Sequence, residues 1–255
     1  MDLTLALDPD AAVGSGLVSG RVHGRDGSAM VALLRVEQSP AGVHAFQVDS
    51  GRVSVCDGAA SFELHAPPSL PPQATGRRCG LQYVVRVSWR PSRLSRKETI
   101  HPVSIRPAEP AVHEGHGRLD RIIPSQPGRD FHLELVAVEL EGGGHIDGRI
   151  HRDAASNDRT FVVTAECSEF WCTNFRFRGR RSPLIWNSES LWSTSEVVSL
   201  EENDRWGPFR FEIPPQLPAA TEARVIAWRY SIEARVESRR PFTGHAVLTP
   251  LWFEV

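Results

Sequence analysis

Two stretches of the chain share an opening and a closing residue at one spacing: "PPSLPPQATGRRCGLQY" (67–83) and "PPQLPAATEARVIAWRY" (214–230). Each begins with Pro-Pro-x-Leu-Pro and ends at a tyrosine, and the offset of 147 positions needs no gap. A proline pair cannot donate to a central ladder, so we expect it to end one strand before the tyrosine strand enters the sheet. The repeat predicts one such crossing in each half of the chain.

A second pair of matching segments extends the repeat toward the start of each half. "GLVSGRVH" (16–23) matches "GHIDGRIH" (144–151) in both glycines, the arginine and the histidine. We expect Gly20 and Gly148 to mark a bulge or a close backbone approach. We also expect the repeated tyrosines to bury their rings and to pair their hydroxyls near a sheet edge.

Hydrophobic residues alternate with a period of two in many short segments separated by Gly, Pro and Asp, and no segment has the pattern of a long amphipathic helix. We therefore predict an all-β protein made of two tandem antiparallel, immunoglobulin-like β-sandwich lobes related by internal duplication. The predicted bounds are 1–107 for the first lobe, 108–130 for a Pro/Gly-rich linker and 131–255 for the second lobe.

The segment "FRFEIPPQLPAATEARVIAWRYSIEARV" (209–236) resembles the signature of arrestin-fold lobes, in which a Phe-rich strand leads through a Pro-bearing turn into a Tyr strand. "SGRVH" and "DGRIH" resemble the strand that opens such lobes. The resemblance covers both halves and implies a non-enzymatic adaptor or scaffold for a protein partner. The first strand, "LTLALD", lacks the phosphate-sensing lysine pair, and neither proline pair forms PPxY. Phosphoreceptor recognition and ubiquitin-ligase recruitment are therefore not expected.

Composition limits the class of partner. The 255 residues carry a formal net charge of −2, with 40% hydrophobic and 24% charged residues, as in ordinary globular proteins. A nucleic-acid-binding protein is normally more basic. The first ten residues have no basic region, and no stretch is apolar for about eighteen residues. We expect a cytoplasmic protein with no integral membrane segment, able to form homo-oligomers through unprotected β-edges.

The second half is longer than the first between matched positions. His23 and Pro67 are 44 residues apart, whereas His151 and Pro214 are 63 apart, and we expect the 19 extra residues within 170–206. Aromatic and arginine side chains are enriched at binding hot spots. The candidate partner-binding residues of this stretch are Trp171, Arg176, Arg178, Arg180, Arg181, Trp186 and Trp192. The alternative is that the tryptophans only pack the insertion onto its lobe.

Catalytic signals are weak. His113 and His116 are three apart in a Pro/Gly-rich segment, which lacks the spacing of a helical zinc motif. No nucleophile motif, phosphate loop or paired Cys-x-x-Cys occurs, so we predict no enzyme activity and no catalytic residue, cofactor or metal site. The alternatives to an adaptor are a carbohydrate- or small-ligand-binding β-sandwich module and an accessory protein of a metal-dependent hydrolase.

Overall fold

The computed structural model describes residues 4–8, 16–67, 70–92, 95–105, 131–138, 140, 143–152, 159–174, 184–237 and 246–251. Sixteen β-strands and no helix occur within these ranges, which confirms the all-β class. Accordingly, this part of the chain holds no helix that could cross a membrane. The predicted linker 108–130, with His113 and His116, lies outside the described residues.

The strands of the first half form two antiparallel sheets. The three-stranded sheet has the order β1-β2-β5, from β1 (Thr4–Leu7), β2 (Leu17–His23) and β5 (Ala59–His65). The five-stranded sheet has the order β4-β3-β7-β6, with β8 also paired to β7. Its strands are β3 (Gly27–Ser39), β4 (Gly42–Val55), β6 (Ala74–Thr75), β7 (Gly80–Ser92) and β8 (Ser95–Val103).

The second half pairs its strands in the same sequence. The three-stranded sheet has the order β13-β10-β9, from β9 (Phe131–Val138), β10 (His145–Arg152) and β13 (Trp206–Glu212). The five-stranded sheet has the order β12-β11-β15-β14, with β16 paired to β15. Its strands are β11 (Thr160–Cys172), β12 (Trp186–Ser199), β14 (Thr221–Glu222), β15 (Ile226–Val236) and β16 (Ala246–Leu251).

The two sheets of the second half share one apolar core, as in a β-sandwich. Alternate residues of β9, β10 and β13 point inward and meet inward residues of β11 and β15. Members of this core include Phe131, Ile146, Ile150, Phe161, Val163, Phe209, Phe211, Tyr230 and Ile232. Period-two alternation thus divides each strand between the core and the solvent.

The chain divides into two compact units. The first comprises Met1–Val112 together with Ala223–Ile226 and Val255, and the second comprises His113–Glu222 and Ala227–Glu254.

The repeated proline phrase forms the same turn in both halves. The backbone N–H of Leu70 donates to the Pro67 carbonyl at 3.1 Å, and that of Leu217 donates to the Pro214 carbonyl at 3.1 Å. In each case the preceding strand ends two residues before the first proline, at His65 or Glu212. The proline pair therefore ends a strand, as predicted.

The two repeated tyrosines are buried and hydrogen-bonded, as predicted. The Tyr83 hydroxyl donates to the Pro71 carbonyl at 2.7 Å, and the Tyr230 hydroxyl donates to the Pro218 carbonyl at 2.9 Å. Burial raises the pKa of both hydroxyls, which keeps them protonated as donors. Tyr83 pairs with strands on both sides, so it does not lie at the sheet edge that the sequence suggested.

The repeated glycines lie beneath phenylalanine rings, where a side chain would not fit. Gly20 pairs across strands with Phe62, and Gly148 pairs with Phe209. A Cβ on Gly148 would overlap the Phe209 ring and lie 2.8 Å from the Glu134 carbonyl oxygen. A Cβ on Gly20 would overlap the Ala6 carbonyl. Close approach is confirmed at both glycines, and the pairing of β10 with β9 is irregular between Asp147 and Gly148.

The extra length of the second half divides among three connections between strands. The connection from β11 to β12 spans 173–185, whereas the corresponding connection from β3 to β4 spans only 40–41. The connection from β12 to β13 spans 200–205, whereas the connection from β4 to β5 spans 56–58. The remaining extra residues precede β11, outside 170–206. β12 matches β4 in length at 14 residues each, so the part of 170–206 that lies in β12 is regular sheet.

Candidate functional site

The three predicted partner-binding tryptophans occupy different environments. Trp171 is buried in β11, and Trp192 is half-buried in β12 against the core of the second unit. Trp186, the first residue of β12, is 37% exposed. Arg176, Arg178, Arg180 and Arg181 lie outside the described residues. Of the three tryptophans, therefore, only Trp186 offers a large part of its ring to a partner.

β12 forms one edge of its five-stranded sheet, and among the described strands only β11 pairs with it through backbone hydrogen bonds. The Arg210 N–H of β13 donates to the Glu196 carboxylate of β12 at 3.2 Å. The Thr173 N–H donates to the Ile185 carbonyl at 2.9 Å, and the Leu200 N–H donates to the Arg159 carbonyl at 2.7 Å. In an antiparallel pair, hydrogen-bonded residues alternate with residues whose backbone groups point away from the neighbour. The residues whose backbone groups point away are Trp186, Ser188, Ser190, Ser193, Ser195, Val197 and Ser199.

The edge is interrupted by a bulge at Leu191, where Cys167 pairs with Trp192 and Ser168 pairs with Ser190. Exposed apolar side chains lie on both sides of this bulge, with Ile185 at 55% and Val197 at 57% exposure. The 14 residues of β12 include two glutamates. They include no lysine, arginine or proline, and these three residue types commonly protect edge strands.

A second candidate surface lies on the solvent side of the three-stranded sheet of the second unit. We define the histidine face as His132 and Glu134 on β9, Arg149 and His151 on β10, and Trp206 on β13. The inward residues of these strands are apolar, so the alternate positions carry these five side chains on the opposite side.

The side chains of the histidine face contact one another closely. The His132 and His151 rings stack in parallel at 4.7 Å between centroids. His151 Nε2 lies 2.7 Å from Glu134 Oε2, and Arg149 Nη1 lies 3.8 Å from the same oxygen. The Arg149 guanidinium also lies over the Trp206 ring, 4.6 Å from its centroid. Cation, carboxylate and aromatic groups are therefore held together on an exposed sheet surface.

Electrostatics at this face favour an ionised Glu134. The hydrogen bond with His151 lowers the pKa of Glu134, and the positive charges of neighbouring side chains act in the same direction. Trp206 remains 47% exposed although Arg149 covers one side of its ring.

Further along the same side of the sheet, a second cluster of charged side chains surrounds Arg210. Arg210 contacts Asp147 Oδ2 through Nη1 at 3.2 Å and Glu212 Oε1 through Nε at 2.7 Å. His145 Nε2 lies 3.5 Å from Asp147 Oδ2. Both carboxylates at this end therefore already have a cationic neighbour.

The sequence contains a signal for this face that the predicted site does not include. His151 is part of the repeated motif, but its partners His132 and Glu134 belong to a segment read only as a strand. Placing the polar positions of the three strands side by side would have grouped them, because period-two alternation puts them on one side. Only the strand register shows that Trp206, His151 and His132 share one row.

Metal chemistry has no support in the described ranges, where no group of three or more His, Cys, Asp or Glu side chains could hold a metal ion. Comparison with models of known protein families finds no match to this sequence, and comparison with curated proteins finds none either.

Proposed function

We propose that the protein is a non-enzymatic adaptor or scaffold with an arrestin-like, duplicated architecture, and that it binds a partner protein along the edge of β12. The matching strand orders of the two halves and the shared Pro-Pro-x-Leu-Pro turn support the duplication. The observation that carries the binding function is the 14-residue edge strand itself.

An edge strand that lacks lysine, arginine and proline favours a partner that adds a strand. Backbone groups at alternate positions of β12 point away from β11, and an extended peptide can satisfy them with its own backbone. The outward residues are mostly serines, which allow a partner backbone to approach closely, while Trp186 and Val197 provide exposed apolar surface. Backbone pairing supplies affinity, and side-chain contacts at alternate positions supply specificity.

Charge favours a basic partner segment over a second copy of β12. The strand contains Glu189 and Glu196 and no basic residue. If two copies paired antiparallel about the strand centre, Trp186 would face Ser199 and Glu189 would face Glu196. Like charges directly opposite one another destabilise a strand pair. We therefore assign the edge to an extended segment of a different protein, with basic and apolar side chains.

The test uses a displayed library of linear peptides about as long as β12. Selected peptides are expected to alternate apolar and basic residues and to protect the amides of Ser188, Ser193 and Ser195 from hydrogen exchange. The variant Ser188→Pro/Ser193→Pro removes two outward donors without breaking the ladder to β11. Each lost bond contributes about 0.5–1.5 kcal/mol, so affinity is expected to fall about tenfold or more.

The matched control is Ser188→Ala/Ser193→Ala, which keeps both backbone donors and is expected to bind like the original protein. Peptide binding that survives the proline variant, or amide protection on other strands, would contradict strand addition at β12. Protection that instead grows with protein concentration in the absence of peptide would identify a second copy as the occupant.

A further inference from the structure

We infer that the histidine face is a second binding site, which takes a carboxylate group from an acidic segment of a partner protein and does so in a proton-dependent manner. The site is separate from the edge of β12 and uses none of its residues. The two sites also bind segments of opposite charge, because the edge of β12 favours a basic segment.

The fold does not require this cluster. The equivalent row in the first unit pairs Thr4, His23 and Ala59 across three strands, where the second unit pairs His132, His151 and Trp206. In the next row, Ala6 pairs with Arg21 at the place where Glu134 pairs with Arg149. The first unit thus keeps the arginine and the histidine on the same sheet without their aromatic and acidic partners.

The charge balance of the cluster changes with protonation. Glu134 is the carboxylate that contacts both Arg149 and His151. When both imidazoles are neutral, Glu134 balances Arg149. When both are protonated, one carboxylate faces three positive charges, and two of those charges lie on rings stacked 4.7 Å apart. A carboxylate from a partner would supply the missing negative charge and relieve this repulsion.

The surrounding groups favour the row of His132 and His151 as the place of contact. From β9 the imidazoles are faced by Glu134, and from β10 by Arg149. From β13 they are faced by Trp206, with Pro208 in the next row. The acids farther along, Asp147 and Glu212, already contact Arg210.

Arg149 adds a fixed donor to the site. Contact with the Trp206 ring holds its guanidinium in place. A guanidinium presents donors in a planar fork that matches a carboxylate.

The sign of the pH dependence follows from the charge balance. Imidazoles ordinarily gain their charge as the pH falls from about 8 to about 5. An acidic segment should therefore bind more tightly at low pH, and by reciprocity its binding should take up protons.

The test measures binding of a fluorescent oligoglutamate peptide at about pH 6 and about pH 8, with an oligolysine peptide as the opposite-charge probe. Salt near 0.15 M screens long-range attraction over about 8 Å. We expect at least about tenfold tighter glutamate binding at the lower pH, equivalent to about 1.4 kcal/mol, and no binding of the lysine peptide. His132→Thr and Trp206→Ala install the residue types of the corresponding positions in the first unit. Each is expected to weaken glutamate binding about tenfold at the lower pH.

The control is His23→Thr, which removes an imidazole from the first unit and therefore changes the net charge as His132→Thr does. It is expected to leave binding unchanged. Equal affinity at the two pH values, or equal losses in the two threonine variants, would overturn the proposal. The Ser188→Pro/Ser193→Pro variant should bind the glutamate peptide normally, so failure at the β12 edge and failure at the histidine face remain distinguishable.

Discussion

Replacing Gly148 by alanine adds one methyl group at a place where two neighbours leave no room for it. The added Cβ would overlap the Phe209 ring and lie 2.8 Å from the backbone carbonyl of Glu134. The ring cannot move aside easily, because Phe209 is buried and packs against Phe211 with 5.7 Å between ring centroids. The clash therefore involves a packed ring and a backbone atom, and neither is the end of a flexible side chain.

The expected magnitude combines a steric cost with an entropic gain. Forcing an extra methyl group into a packed interior costs about 1–3 kcal/mol. Replacing glycine also reduces the conformational entropy of the unfolded chain, which stabilises the folded state by about 0.4–1 kcal/mol. Gly148→Ala should therefore lower the free energy of unfolding of the second unit by about 1–2 kcal/mol. Gly51→Ala is the control, because nothing lies within 4 Å of its added Cβ. It should be neutral or slightly stabilising.

Urea unfolding followed by tryptophan fluorescence measures the change, with the midpoint and slope analysed separately. A double-mutant cycle with Phe209→Leu isolates the contribution of the ring. In the leucine background, Gly148→Ala should cost about 1 kcal/mol less, while the part caused by the Glu134 carbonyl should remain. Equal effects of Gly148→Ala and Gly51→Ala, or strict additivity in the cycle, would refute the reasoning.

Three further outcomes are expected. Tyr230→Phe should cost about 0.5–1.5 kcal/mol in urea unfolding, because the Pro218 carbonyl loses its donor; an unchanged midpoint would contradict this role. A thiol reagent should modify exposed Cys56 rapidly in the native protein, whereas Cys167 should react only after unfolding, because burial raises the pKa of its thiol to about 12. Trp171→Ala should cost about 3–5 kcal/mol, whereas exposed Trp186→Ala should cost under about 1 kcal/mol; similar losses in calorimetry would contradict their different burial.

Much of the scaffold was predictable because local rules act strongly on it. Two prolines cannot continue a central ladder, so the strand before Pro67 or Pro214 had to end there. A glycine repeated within a strand pattern indicates close packing, and both glycines lie against phenylalanine rings. These inferences depend on the backbone chemistry of single residues.

Predictions that depend on pairing across the sheet were less complete. Glu37 illustrates the reason: charge favours the solvent side for a glutamate, yet this one is fully buried, with Arg35 Nε 2.8 Å from its carboxylate. The histidine face was missed for the same reason, since its members come from three segments whose register is set by tertiary structure. The extra residues were all assigned to 170–206 because sequence length alone does not show how they divide among the connections between strands.

The two units show which positions the fold constrains. Residues that pack in the core are repeated in both units, as in the pairs Gly20–Phe62 and Gly148–Phe209. On the solvent side, the first unit has threonine and alanine where the second has histidine, glutamate and tryptophan. A sheet that folds with small residues at these positions has no packing requirement for the larger ones. Because Arg149 and His151 have counterparts in the first unit, the difference lies in the groups that hold and balance them. That difference favours a binding role for the outer face of the second unit over a purely structural one.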